Sequence, residues 1–327
     1  MHKLISRFPQ QLEEALEIGV SAKLTPTQSP LSNILVTGLG GSGIGGTIVS
    51  ELVSREATLP IIVNKDYFLP AFVGKTTLVI VSSYSGNTEE TLAAMEAAIK
   101  KQAKIICITS GGKILEMAQK NGIDHIIIPG GMPPRSCLGY SLTQLFFILE
   151  FFGVTSGHFK KDLSAAIALL TKEQPGIKQE ASSVAARLFG NIPIIYAAAG
   201  AEGVAIRFRQ QINENAKMLC WHHVIPEMNH NELVGWKENY KNTTAVIFRN
   251  TLDYERTQTR IEINKKIIAP RCHEIIELWS KGNTPTEQAI YHIHLGDWIS
   301  VYLADLKKID ATEVKVIDFL KEELSKK

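Results

Sequence analysis

Short apolar runs alternate along the first half of the chain with segments whose apolar residues recur every three to four positions. Residues 34–37 form an apolar run that ends in glycines, and 44–53 follow with a helical period. Residues 60–63, 77–82, 104–109 and 125–128 read as further strands. Residues 88–101 and 114–121 read as helices, and 136–152 as a strongly apolar helix. An amphipathic helix over 8–18 and a Pro/Thr/Ser loop precede them. Strands alternating with helices of this length predict crossover units, hence a parallel sheet covered by helices on both faces.

The pattern breaks near 153–157 and then restarts. Two helices fill 159–189, interrupted around Pro175-Gly176. Residues 193–196 read as a strand, 203–217 as a helix, 244–248 as a strand and 254–268 as a helix. A strand over 274–279, a long helix over 286–307 and a closing segment over 313–326 complete the chain. The run Ala197 to Gly203 follows its strand much as the glycine run follows the first. Two α/β halves of similar architecture are expected, 1–153 and 154–327, the second with a degenerate glycine turn. A length of 327 residues agrees with two domains.

Charge narrows the partners. The 35 basic residues against 33 acidic leave a net charge of +2, too little for a global field that would grip nucleic acid or an anionic membrane. An anionic ligand must be held by local devices. Cys107, Cys137, Cys220 and Cys272 stand far apart with no CxxC pair, so neither a disulfide framework nor a zinc ribbon is indicated. No apolar run reaches membrane-spanning length, and the chain reads as a soluble cytoplasmic protein.

Two loops carry candidate chemistry. Residues Gly38 to Gly46 hold six glycines between a strand and a helix, and Gly38, Gly40 and Gly43 satisfy GxGxxG. No P-loop lysine follows. The second strand ends at Val63-Asn64, where a dinucleotide site wants an acid, and Asp66 lies two positions late. Any strand-to-helix turn whose backbone approaches an anion needs such glycines, and tight packing alone is the other reading. The second loop, Ser82-Ser-Tyr-Ser-Gly-Asn-Thr88, offers the Ser83, Ser85 and Thr88 hydroxyls beside a helix N-terminus, a cradle for a dianionic phosphate without any lysine. A plain capping box is the alternative, but it needs only one such residue.

The pair Gly40-Gly-Ser-Gly43 and Ser83-Tyr-Ser-Gly-Asn-Thr88 resembles the sugar isomerase (SIS) fold, which binds phosphosugars. Pro133-Pro-Arg-Ser-Cys-Leu-Gly139, Asn213-Glu-Asn215 and Pro226-Glu-Met-Asn-His-Asn-Glu-Leu-Val-Gly-Trp236 narrow the resemblance to the bifunctional phosphoglucose/phosphomannose isomerases. It implies two SIS domains and a homodimer with the site at its interface, with no metal and no nucleotide. It implies the interconversion of glucose 6-phosphate and fructose 6-phosphate, and of mannose 6-phosphate, through a cis-enediol. Gly41, Ser42, Ser83, Ser85 and Thr88 match the phosphate site.

The same resemblance assigns roles. Glu214 matches the base; a carboxylate near a helix C-terminus opposes the dipole and wants a reason to be there. Arg135, in a stiff Pro/Gly loop, matches the cation that steadies the enediolate and contacts substrate. His230 matches the ring-opening acid, contributed by the neighbouring subunit. Lys307 matches the lysine that assists ring opening, with Lys308 beside it. Ser300 matches a substrate-contacting position near the reacting carbons that is usually threonine. A non-catalytic phosphosugar-binding protein and a nicotinamide-dependent oxidoreductase are the other readings of the same loops.

Overall fold

The computed structural model describes residues 1–326. Its first sheet takes β1 (Asn33–Thr37), β2 (Ile61–Asn64), β3 (Thr77–Ser82), β4 (Lys104–Thr109) and β5 (Asp124–Ile127) in the order β2-β1-β3-β4-β5. The second takes β6 (Ile192–Ala198), β7 (Trp221–Ile225), β8 (Tyr240–Arg249) and β9 (Cys272–Trp279) in the order β7-β6-β8-β9. Every pairing is parallel, and Thr37 at the end of β1 stands in register with Asn64 and Val81. β3 is buried at all six positions, as a strand covered on both faces must be.

Helices α3 (Gly40–Leu52), α4 (Glu89–Lys100), α5 (Gly112–Lys120) and α6 (Leu138–Phe151) serve the first sheet. Helices α8 (Glu202–Ala216), α9 (Glu255–Ile268) and α10 (Pro285–Leu306) serve the second. α1 (His2–Ser6) and α2 (Phe8–Ser21) open the chain, α7 (Phe159–Leu188) joins the halves, and α11 (Lys315–Ser325) closes it. Alternation along the strands divides the core. Ile34, Val36, Leu78 and Ile80 face a large cluster that runs on through Phe208, Phe248 and Trp298 of the second half. Leu35, Val79, Val81 and Cys107 face the other way, against Met95 and Ala98 of α4. One continuous core therefore ties the two halves together. No described helix is long and apolar enough to cross a membrane. All four cysteines are buried and unpaired.

Three local expectations fail. The interruption expected at Pro175-Gly176 is absent, because α7 runs unbroken through it. An interior proline costs about 3 kcal/mol. Leu163, Ala166, Leu170, Ile177, Ala181 and Leu188 are all fully buried along that helix, and their packing outweighs the loss. The helix after the first glycine turn begins at Gly40, not at residue 44, so the turn's glycines are its first residues. Trp221–Ile225 is an outer strand that a Trp-His-His-Val-Ile run, without alternation, did not announce.

Candidate functional site

In the first sheet the chain leaves β1 toward β2 on one side, while β3 lies on the other. The crevice outside the C-terminal ends of β1 and β3 is the switch point where open parallel sheets take ligands. Three loops meet there, and glycine is what lets them close. A Cβ on Gly43 would lie 2.2 Å from the Gly38 carbonyl oxygen, and one on Gly41 would lie 3.1 Å from Arg135 Cα. The glycine turn thus lies flat against the Arg135 loop. Ser42 ties it to the serine loop: its Oγ accepts from the Tyr84 amide at 2.9 Å, and its carbonyl accepts from Ser82 Oγ at 3.0 Å.

In the serine loop the Ser83 and Thr88 hydroxyls lie 3.1 Å apart, and Ser85 Oγ, exposed, accepts from the Asn87 amide at 3.3 Å. Thr88 is the N-cap of α4 but makes no side-chain capping bond. The capping-box alternative therefore has no counterpart, and the first-turn amides of α4 have no side-chain cap. Hydroxyls and uncapped amides at a helix N-terminus suit an oxyanion.

Arg135 sits in a 3-10 turn, Pro134–Ser136, and is 3% exposed. Its Nε donates to Asn215 Oδ1 at 2.7 Å, and its Nη2 donates to the Ala311 and Thr312 carbonyls at 2.6 and 3.0 Å. Its Nη1 reaches Glu214 Oε2 at 3.4 Å. A guanidinium has five N–H groups, so one Nη1 hydrogen remains beside the carboxylate. Burial pulls the Arg135 pKa down, with Glu214 opposing the shift and Arg207 adding to it. Glu214 lies in the last turn of α8, its side chain 27% exposed. The first half's loop and the second half's helix thus bring an acid and a cation together across the shared core.

Lys307 and Lys217 crowd the same end of α8. Lys217 adopts the left-handed conformation that stops the helix, with φ of 50°, and its Nζ donates to the Glu214 and Asp310 carbonyls at 2.8 and 2.9 Å. Burial, and then the Arg135 charge, lower the Lys217 pKa. Lys307 caps α10 and donates to the Lys217 carbonyl at 3.1 Å; Lys308 beside it is exposed. Ser300 is fully buried, with its hydroxyl against Asn215 at 2.9 Å. His230 stands apart. It ends the 3-10 turn Glu227–His230 beyond outer strand β7 and is exposed, and among the described residues its side chain has no hydrogen-bond partner.

Sequence reading missed Asn215's contact, Lys217, Arg207 and Asp297. Arg207 and Asp297 form a buried ion pair at 2.9 Å. Two of them carried a signal: an arginine between Ile206 and Phe208, and an aspartate beside Trp298-Ile299, are charges set among apolar residues along the chain. Buried charges are rare unless paired. Among the described residues no group of three His, Cys, Asp or Glu side chains is placed to hold a metal ion.

Comparison with known proteins places these features in context. Residues 177–324 match the family model of the bacterial phospho-glucose isomerase C-terminal SIS domain. The chain is 39% identical to the bifunctional phosphoglucose/phosphomannose isomerase of Caldicellulosiruptor bescii, over 99% of both chains. It is 38% identical to the protein of the same name from Aquifex aeolicus, over 100% of this chain and 98% of that one. Its fold matches the C-terminal domain of glucosamine-fructose-6-phosphate aminotransferase from Francisella tularensis with a TM-score of 0.78, covering 96% of this chain and 97% of that one at 14% identity.

Proposed function

The chain belongs to the bifunctional phosphoglucose/phosphomannose isomerase family, and from that premise we propose that Glu214 moves the substrate proton while Arg135 holds the charge left behind. The protein is an aldose–ketose isomerase acting on glucose 6-phosphate, fructose 6-phosphate and mannose 6-phosphate. The phosphate binds the Ser83, Ser85 and Thr88 hydroxyls and the first-turn amides of α4, with Gly41 and Ser42 beneath it. That anchor supplies binding energy remote from the reacting carbons.

In the open-chain aldose the Glu214 carboxylate takes the proton from C2. The C–H electron pair becomes the C1=C2 bond, and the carbonyl oxygen O1 becomes the enediolate oxygen. The free Nη1 hydrogen of Arg135 faces that oxygen. Protonated again on either face of C2, this enediolate gives glucose or mannose 6-phosphate. Once the O2 hydroxyl proton has passed to O1, Glu214 returns its proton to C1 and the O2 electrons form the C2=O bond of the ketose. Lys307 assists ring opening from the end of α10. His230 acts as the ring-opening acid from a second copy of the chain, which makes the working unit a homodimer. Its exposure, and its lack of a hydrogen-bond partner among the described residues, support that placement.

The observation that carries this reading is the 3.4 Å contact between Arg135 Nη1 and Glu214 Oε2, with one Nη1 hydrogen still unused. Glu214→Gln keeps the shape and the phosphate cradle but removes the base. Turnover should fall by at least ~10² while sugar phosphate still binds. Exchange of the C2 proton into heavy water should stop with it. Exchange at the wild-type rate in Glu214→Gln would remove Glu214 from this role.

A further inference from the structure

Arg135 is held from two sides by one closed circuit of buried groups. Arg207 Nη2 donates to the Arg135 carbonyl at 2.6 Å and to Asp297 Oδ2 at 2.9 Å. The Asp297 carbonyl accepts from the Ser300 hydroxyl at 2.7 Å. Ser300 Oγ accepts from Asn215 Nδ2 at 2.9 Å, and Asn215 Oδ1 accepts from Arg135 Nε at 2.7 Å, which closes the ring. The five side chains belong to a loop of the first half and to α8 and α10, and none is more than 4% exposed.

The circuit has a fixed direction. A serine hydroxyl has one hydrogen, and Ser300 gives its hydrogen to the Asp297 carbonyl. It can then only accept from Asn215, so the amide must turn its NH2 to Ser300 and its oxygen to Arg135. A reversed amide would set two donors against each other at Arg135 and leave a lone pair facing a lone pair at Ser300. The anchor of the circuit is costly. Among the described residues Arg207 Nε and Nη1 and Asp297 Oδ1 have no hydrogen-bond partner. A buried ion pair of this kind returns little stability, so a role in placing a neighbour is what it can offer.

We infer that Ser300 and Asn215 are positioning residues for the isomerisation. Ser300 fixes the amide, the amide fixes Nε, and the planar guanidinium then aims its free Nη1 hydrogen beside Glu214. The inference rests on the role given to Arg135 above. It departs from the sequence expectation that Ser300 meets the reacting carbons, because its hydroxyl is committed on both sides within the core.

Ser300→Ala removes the acceptor that orients the amide. A misplacement of about 1 Å at the reacting centre costs about 10² in rate, so kcat should fall by roughly that factor while KM changes little. Because Arg135 serves both substrates, the ratio of mannose 6-phosphate to glucose 6-phosphate turnover should stay constant. Ser300→Thr keeps the hydroxyl and should restore kcat. Asn215→Asp keeps the size and the contact with Nε but sets a negative charge against the guanidinium, so it should lower kcat by a similar factor. All are measured beside their melting temperatures, and Asn215→Asp stands in if Ser300→Ala does not fold. Arg135→Lys separates the layers: if it keeps full turnover, the role of Arg135 fails and takes this inference with it. If Arg135→Lys is impaired while Ser300→Ala and Asn215→Asp lose only melting temperature, or if Ser300→Ala changes the substrate ratio, the positioning role alone is overturned.

Discussion

Replacing Glu51 by glutamine should stabilise the protein, by an amount that grows between pH 4.5 and about 7 and is complete above it. Glu51 lies on α3 of the first half and its Oε2 accepts from the Gly203 amide, in the first turn of α8, at 2.9 Å. Burial pushes its pKa from 4.5 up to about 7; the charge of Glu202 adds to the rise, while the Gly203 bond and Lys65 oppose it. At about 1.4 kcal/mol per unit the shift amounts to about 3 kcal/mol. The sign follows from proton counting. Below pH 4.5 the carboxyl is protonated both folded and unfolded. Between 4.5 and 7 the unfolded chain releases the proton first, so the folded state binds more and stability falls as pH rises. Above 7 the full penalty is in place. Glutamine is neutral throughout, has the same size, and keeps an oxygen for the Gly203 amide. The difference in unfolding free energy, Glu51→Gln minus wild type, should be near zero at pH 4 and climb to about 3 kcal/mol by pH 8. Urea unfolding of both proteins at pH 4, 6 and 8 measures it, and the subtraction removes every other titrating group. A glutamine variant no more stable than wild type at pH 8, or a gain that does not change with pH, would refute the argument.

Two further outcomes test the site. Homodimers of His230→Ala and of Glu214→Gln should each be inactive, and subunit exchange between them should restore activity; mixed dimers that form without activity would place the whole site within one chain. Gly41→Val would drive a branched side chain into the Arg135 backbone, since even a Cβ would lie 3.1 Å from Arg135 Cα. If Arg135 is the cation proposed above, the substitution should lower kcat by about 10², and unchanged kinetics in a folded Gly41→Val would show that the loop has room to retreat.

What the sequence made legible follows the range of the interactions. The alternation of strands and helices, the glycine turn and the Ser83–Thr88 loop are local signals, and the structure builds each of them. The circuit around Arg135 was illegible because four of its five bonds join residues 72 to 90 positions apart. No period or spacing encodes such pairs. Only the out-of-place charges Arg207 and Asp297 hinted at them. α7 was misread for a related reason. Local rules break a helix at Pro175, but Ile177 and Ala181 are fully buried within the two turns beyond it, and tertiary packing decided the matter. Outer strand β7 gave little pattern because most of its residues are only partly buried, which leaves little selection for alternation.

The two halves share an architecture but not a use for it, and Glu51 shows where they part. After β1 the chain turns through glycines into α3, and after β3 the serine loop leaves α4's first amides uncapped by side chains, which is where the anion cradle is proposed. After β6 the corresponding turn runs Ala-Ala-Gly-Ala-Glu into α8, and the Gly203 amide there is already taken by the Glu51 carboxylate. A second anion at that amide would have to displace the half-buried Glu51 carboxylate. The N-terminal end of α8 is thereby committed to holding the halves together. Its other end meets the Arg135 loop of the first half. Twelve residues at 1.5 Å each carry the chain about 18 Å from Glu202 to Glu214, from the plugged end to the Arg135 loop. There the helix dipole disfavours the Glu214 carboxylate, and Arg135 supplies the opposing charge. A single helix thus ties the two halves together at one end and sets Glu214, the proposed base, beside Arg135 at the other.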